Sequence, residues 1–304
     1  MSSKLPPSKY DPFMEMRSPD FEVQYVLDEN APEVALHAHI FYEVYLFCSG
    51  DIESYVVDNN SYPIKSGDIL LIPPEVMHHP IFSGSGGGYK RYVLYISQSF
   101  FERLQLVDPE LGNIFERCRS TRNYLIRCKK PAQPRILEDR LLDIWNAHHS
   151  GKLCSKATET SRCIDFLVEL NRANTERLST DSGRDNRSLL EQILTYISEN
   201  YQHPLSLGEV AAQFFVSPST VENLFKQRLG KSFYRYVIEY RIISAQALIL
   251  KGTSLKDVSS LCGFGDYSTF FKMFRKEVGV SPSRFKDLAV STMEEQAKPP
   301  SQSN

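Results

Sequence analysis

From Phe21 to about Ser97 the apolar residues fall at every second position or in short solid runs, in FEVQYVL, VALHAHIFYEVYLFCSG, ESYVVDNN, YPIKSGDILLIPP and YKRYVLYIS. Side chains of an extended chain point alternately to the two faces of a sheet, so this period predicts strands. Asp58-Asn59-Asn60, Ser66-Gly67-Asp68 and Ser83 to Gly88 supply the turns between them. Short strands parted by turns predict a closed or sandwiched β-barrel.

Beyond Ser97 the period lengthens to ~3.6 residues, that of helices. SQSFFERLQL and ELGNIFERC read as short helices, NYLIRC as one more strand, and PRILEDRLLDIWNAHHSG and SKATETSRCIDFLVELNRAN as longer helices. The apolar stripe of the first long helix is Leu137, Leu141, Ile144 and Trp145; that of the second is Cys163, Ile164, Leu167, Val168 and Asn171. Such stripes seal the barrel, or one of them pairs with its twin in a second copy of the chain. Thr175 to Ser188 is polar and has no period, which marks a linker. SLLEQILTYISENY then opens a second helical region.

That region repeats itself. LSLGEVAAQFFVSPSTVENLFKQRLGKSF is followed by TSLKDVSSLCGFGDYSTFFKMFRKEVGVSP, and the two align with one inserted residue in the turn. Each copy reads as a short amphipathic helix, a tight turn and a second helix opened by a capping residue, Ser217 or Asp266, which is the pattern of a helix-turn-helix. Val221, Leu224 and Phe225, or Phe270, Met273 and Phe274, form the inward stripe. Between the copies a helix from about Ser232 to Lys251 packs through Phe233, Val237, Tyr240, Ala245 and Leu248. Such a helix spans roughly 30 Å, close to the roughly 34 Å turn of B-DNA, so two recognition helices mounted on it can enter successive major grooves.

A length of 304 residues and ordinary apolar content suit two cores. The net charge of −2 hides an asymmetry: residues 1–183 hold 20 Lys and Arg against 25 Asp and Glu, whereas residues 184–290 hold 14 against 10. The basic end is the repeat end, as contact with phosphates requires. Six cysteines lie singly, without CxxC spacing, and read as reduced core residues. There is neither a basic start leading into an apolar core nor a membrane-length apolar run, so the expected location is the cytoplasm, away from any membrane.

At the RxxxAxxLI run from Arg241 to Ile249, at CGFGDYSTFFKMFRKEVGVSPSRF, and at the Gly-x-Ser-Phe and Gly-x-Ser-Pro endings at Gly230 and Gly279, the chain resembles the AraC/XylS family of bacterial transcription regulators. It departs at Ser259 and Ser260, where that family has an alanine-led pair, and at Phe271, which is bulkier than the usual residue. Matching to the family motif implies that Ser219, Glu222 and Asn223 of the first recognition helix read bases, with Lys226 outward beside them. In the second helix it implies that Tyr267, Ser268, Phe271 and Lys272 face the groove. Asn223 suits a bidentate contact to adenine, Glu222 suits cytosine N4 or solvent, and Phe271 suits a thymine methyl. Arg275 and Lys276, with Lys231 and Arg235, suit phosphates, which set affinity and register.

His37, His39, Glu43 and Gly50 meet the first cupin motif, and Gly67, Asp68, Pro73 and His78 meet part of the second, with Glu75 where that motif has glycine. The segment therefore resembles a cupin. His37, His39, Phe41, Glu43, Tyr45 and Phe47 share parity, hence one face of a single strand. Three readings fit. In a metal-free effector pocket His37, His39, Glu43, Tyr45, His78 and Tyr95 meet a small polar ligand, a sugar among the candidates. His37, His39, Glu43 and His78 form an acceptable set for Zn, Fe or Mn. In the third, the histidines are hydrogen-bonded barrel residues. The family resemblance favours the first, with no metal and no cofactor.

The expectation is a two-domain chain: an arm at 1–20, a cupin-like effector-binding and dimerisation domain at 21–174, a linker at 175–187, an all-α tandem helix-turn-helix domain at 188–289 and a disordered tail at 290–304. Its function is that of a regulator, an activator by family habit, whose partners are double-stranded DNA, a small effector, a second copy of itself and RNA polymerase. The rival readings are a metal-dependent cupin enzyme fused to a DNA-binding domain, and a ligand-independent regulator whose barrel is a scaffold.

Overall fold

The computed structural model describes residues 16–28, 34, 36–83, 88–128, 130–175 and 188–288. Most of the expected arm, the expected linker from 176 onward and the expected tail lie outside the described residues. The chain forms two compact units. The first carries the strands β1 (Phe21–Asp28), β2 (Tyr42–Gly50), β3 (Ile52–Val57), β4 (Asn60–Pro63), β5 (Ile69–Ile72), β6 (His78–Phe82), β7 (Tyr89–Ile96) and β8 (Leu125–Ile126).

Among the described residues two antiparallel sheets result, one in the order β1-β7-β2-β5-β8 and one in the order β4-β3-β6. Cross-strand partners share a face. Tyr95, Val93 and Arg91 of β7 stand beside Glu43, Tyr45 and Phe47 of β2, and beside Glu22, Gln24 and Val26 of β1. This face looks at the second sheet: the Tyr45 ring lies 4.9 Å from Tyr55 of β3, and Glu43 lies 3.3 Å from His78 of β6. The alternation thus produces the expected sandwich. At the β2–β3 corner Gly50 has φ +135°, and a β-carbon there would sit 2.2 Å from the carbonyl oxygen of Gly88, so only glycine fits.

Two strands differ from the sequence expectation. β2 begins at Tyr42, which pairs with Ile96 at the end of β7, and the chain then turns into a helix at Gln98. Residues before Tyr42 therefore have no β7 partner to extend the ladder, and His37, His39 and Phe41 precede the strand. β6 was not anticipated because HHPIF is short and contains proline. Among the described residues it pairs with β3 alone, and an edge strand tolerates the missing N–H.

Helices α1 (Gln98–Val107), α2 (Asn113–Thr121), α3 (Gln133–His149) and α4 (Ser155–Thr175) complete this unit. On the outer face of the larger sheet, the Tyr42 ring packs 4.1 Å from Phe101 of α1 and 4.7 Å from Phe115 of α2. Leu137, Leu141 and Ile144 of α3 are buried as expected, while Trp145 is partly exposed. In α4 the buried residues are Cys163, Phe166, Leu167, Leu170 and Ala173. Ile164, Val168 and Asn171 are only partly covered, so the stripe is rotated by about one position from the expected one.

The second unit contains α5 (Leu189–Asn200), α6 (Leu207–Gln213), α7 (Pro218–Leu229), α8 (Phe233–Leu250), α9 (Leu255–Leu261) and α10 (Tyr267–Val278). Polar side chains set the helix starts: Ser188 and Ser206 form capping boxes with Glu191 and Glu209, and Ser217, Ser232, Ser254 and Asp266 cap α7 to α10. The repeat is exact enough to reproduce its hydrogen bonds. Val216 N–H donates to Ala211 O at 3.0 Å and Phe264 N–H to Ser259 O at 3.1 Å. Phe225 meets Tyr236 with rings 5.5 Å apart at 78°, and Phe274 meets Phe285 at 5.5 Å and 76°.

Helix α8 packs against α7 in the first repeat and against α9 and α10 in the second. Tyr236, Val237 and Tyr240 are buried in its first half, and Ile242, Ala245 and Ile249 in its second. The C-terminus of α5 is fixed by Arg241 of α8, which donates to the carbonyls of Tyr201 at 2.9 Å and His203 at 2.8 Å. Gly263 in the second turn has φ +72°, and a β-carbon there would lie 2.3 Å from that same Tyr201 oxygen.

Candidate functional site

The helical unit offers the first site. α7 buries Val221 and Phe225, α10 buries Phe270 and Phe274, and each turns its opposite face outward. Ser219, Asn223 and Lys226 are exposed on α7; Tyr267, Ser268, Lys272, Arg275 and Lys276 are exposed on α10. Ser219 and Ser268, Asn223 and Lys272, and Lys226 and Arg275 occupy equivalent positions of the two copies. Phe271 is half-buried, its ring 6.4 Å from that of Tyr267. An amide, hydroxyls, an aromatic edge and cations on two matched helices are the groups that read base edges and hold phosphates.

Three charged residues are placed differently from the expectation. Glu222 is turned back: its Oε2 accepts from Phe233 N–H at 3.2 Å, at the start of α8, and its Oε1 lies 3.2 Å from Lys226 Nζ. A carboxylate at a helix N-terminus satisfies an otherwise unpaired donor and the helix dipole. Lys231 is paired with Glu239 at 2.8 Å. Arg235 reaches both Glu239 at 2.7 Å and Glu277 of α10 at 2.6 Å. The charges of Lys231 and Arg235 are therefore already countered by carboxylates of their own unit.

The inner face of the β-unit offers the second site. His39 Nε2 lies 2.7 Å and His78 Nε2 3.3 Å from Glu43 Oε2. The His39 ring stacks on Phe41 at 4.1 Å and 6°. Burial alone would raise the Glu43 carboxyl, but the two imidazoles beside it lower it more, holding it well below the usual carboxylate range. Burial in turn pushes His39 below the ordinary imidazole range. His37 is buried but lies ahead of β2, outside this cluster. Tyr45 and Tyr95 stand on the same inner face, the former accepting from Tyr89 O–H at 2.8 Å.

Sequence reading missed part of this lining. Arg91 lies over the Tyr89 ring at 3.9 Å and pairs with Asp28 at 2.8 Å. The signal was present in YKRYVLYIS, where Tyr89, Arg91, Val93 and Tyr95 share parity; only the pairing with β2 tells which parity faces inward. Burial raises Tyr45, Tyr55 and Tyr95 well above the ordinary phenol range and pushes Tyr89 up to about 12. All four are neutral at physiological pH and offer ring faces; Tyr89 gives its hydroxyl hydrogen to Tyr45, and the other three each carry one to donate.

A β-sandwich with a polar, aromatic interior and a tandem helix-turn-helix unit define a one-component DNA-binding regulator with a small-molecule domain. Residues 23–122 match the AraC-like ligand binding domain, and residues 210–287 match a helix-turn-helix domain. The chain belongs to the AraC/XylS family of transcription regulators. It is 25% identical over 274 residues to the HTH-type transcriptional activator RhaS of Yersinia pseudotuberculosis, covering 84% of this chain and 91% of that protein. It is 24% identical over 261 residues to the activator RhaR of Escherichia coli, covering 84% of this chain and 87% of that one. The uncharacterized regulator YfiF of Bacillus subtilis is 25% identical over 95% of this chain and 90% of its own length. Among solved structures, ToxT of Vibrio cholerae covers 90% of this chain and 99% of its own at 15% identity, with a TM-score of 0.35. Among the described residues no helix is long and apolar enough to cross a membrane.

Proposed function

We propose that this regulator is a cytoplasmic transcriptional activator that works by binding, without catalysis. A small polyhydroxylated effector, a sugar or a close relative of one, enters the inner face of the β-unit and changes how α7 and α10 are presented to DNA. Residues 21–174 form the effector and dimerisation domain and 188–289 the DNA-binding domain, joined by 175–187 and flanked by an arm at 1–20 and a tail at 290–304. The observation that carries the reading is the matched pair of recognition helices, whose equivalent exposed positions hold Ser219 and Ser268, Asn223 and Lys272, and Lys226 and Arg275. Ser219, Asn223, Tyr267, Ser268, Phe271 and Lys272 read bases; Lys226, Arg275 and Lys276 hold the backbone; Glu222 positions α7 against α8.

Sugar chemistry is favoured by Tyr45, Tyr55, Tyr89 and Tyr95, which supply ring faces and hydroxyl donors, and by the paired Arg91 and Asp28. Activation is supported by the names of the RhaS and RhaR relatives, and action at a promoter implies contact with RNA polymerase. A homodimer is supported by Ile136, Leu142 and Trp145, which leave part of α3 apolar and exposed. Coupling requires that the effector bind the DNA-competent and DNA-incompetent states unequally. The test is a thermal-shift panel of sugars and metabolites on the full chain, followed by operator binding and transcription with each hit. A stabilising compound that changes site occupancy or transcription is expected. Hits that leave operator affinity, site choice and transcription all unchanged would remove the switch.

A further inference from the structure

We infer that His39, Glu43 and His78 form a binding site for one divalent transition-metal ion on the inner face of the β-unit. His39 Nδ1 lies 2.8 Å from the carbonyl oxygen of Phe41, and His78 Nδ1 lies 2.9 Å from that of Val76. A carbonyl oxygen only accepts, so both Nδ1 atoms carry the hydrogen, and in a neutral ring the Nε2 atom then holds a lone pair. Both Nε2 atoms point at one oxygen, Glu43 Oε2, at 2.7 and 3.3 Å. Three electron-pair donors therefore converge where water is nearly excluded, with side-chain exposures of 1%, 5% and 0% for His39, Glu43 and His78. A positive centre belongs among them.

Protons fill that role poorly. One proton bridges one contact and leaves the second nitrogen lone pair facing the carboxylate. Two protons put two imidazolium rings 4.9 Å apart around a single negative charge, a surplus cation in a buried place. One metal ion takes all three donors at once. Ligands about 2.0–2.1 Å from a common ion stand about 3 Å from one another, and here the donor atoms all lie within 4.8 Å. The backbone carbonyls behind the rings fix the tautomer and aim Nε2 inward, as outer-shell partners of ligating histidines do.

Two imidazoles and a carboxylate suit Zn, Fe(II), Mn or Co, and three protein ligands leave positions open for water or an oxygen atom of a ligand. Those positions neighbour Tyr55, whose ring lies 6.3 Å from His78, and Tyr95, whose ring lies 6.1 Å from His39. The four-residue set suggested by the motif shrinks to three, because His37 stands outside the cluster.

Metal binding is measured without an effector, so it stands or falls separately from the regulatory reading. The full-length chain, stripped with a chelator, is dialysed against Zn²⁺ or Co²⁺ and its bound metal quantified, with affinity from calorimetry. One ion per chain is expected, with affinity at least tenfold lower in His39→Ala and His78→Ala and unchanged in His37→Ala. Absence of stoichiometric uptake of either ion overturns the inference, as does full uptake by the folded double variant His39→Ala, His78→Ala. Should that variant not fold, the near-isosteric Glu43→Gln decides: unchanged Zn²⁺ affinity overturns the site, and a loss of at least tenfold upholds it.

Discussion

Phe215 sits in the first helix-turn-helix turn with φ +56° and is 97% exposed, where the second copy has Gly263 at φ +72°. A side chain in the left-handed region costs about 1–2 kcal/mol, and at this position no packing offsets it. Phe215→Gly is therefore expected to stabilise the protein by up to about 1 kcal/mol after the added freedom of the unfolded chain is counted. The readout is a higher urea midpoint at constant slope; a lower midpoint would reveal a contact that the aromatic makes. On α7, Asn223→Ala is expected to cost about 1–3 kcal/mol on the preferred DNA site alone, and Arg275→Ala on α10 to weaken all sequences alike. Equal losses on specific and random duplexes for Asn223→Ala would remove its reading role. Burial pushes the thiols of Cys48 and Cys262 up to about 11 and about 12 and raises Cys163 as well, whereas Cys154 is exposed. Alkylation of the native chain followed by peptide mapping is expected to mark Cys154 first.

Among the elements, the helical unit was legible because its determinants are local. Ser206 and Glu209, or Ser254 and Asp257, cap their helices within one turn, and the apolar period shows which side each helix buries. The sheets were less legible because pairing decides them. Where β2 starts depends on where β7 ends, and β6 exists because β3 needs a neighbour. Side chains that leave their own element were also hidden: Glu222 bonds to Phe233 in the next helix, and Arg235 spans to Glu277 in α10. The histidines and Glu43 were marked in the sequence by their resemblance to the cupin motif, but the convergence of His39, Glu43 and His78 without His37 required the fold. Arg241→Ala is expected to cost about 1.5–3 kcal/mol, since a charged donor leaves two carbonyls at the end of α5. Chemical denaturation monitors this, and a change below 0.5 kcal/mol (about the scatter of surface substitutions) would show that water replaces the guanidinium. Glu222→Gln is expected to lower stability by about 1 kcal/mol while keeping base preference; a changed preference at one base pair would return Glu222 to the groove.

At the scale of the whole molecule, the basic charge gathered in residues 184–290 makes DNA affinity depend on salt. The logarithm of the binding constant is expected to fall linearly with that of salt concentration, and Arg275→Ala to flatten the slope by about one counterion. A slope unchanged in Arg275→Ala would place that residue away from phosphate. Helix α8 serves both repeats with one copy of itself, walling the first core with Tyr236 and Tyr240 and the second with Ile242, Ala245 and Ile249. On the outward faces the two copies differ, with proline opposite tyrosine at 218 and 267 and asparagine opposite lysine at 223 and 272. A change on the common beam is felt in both cores together, so new DNA vocabularies arise by editing one head at a time, with the beam held constant.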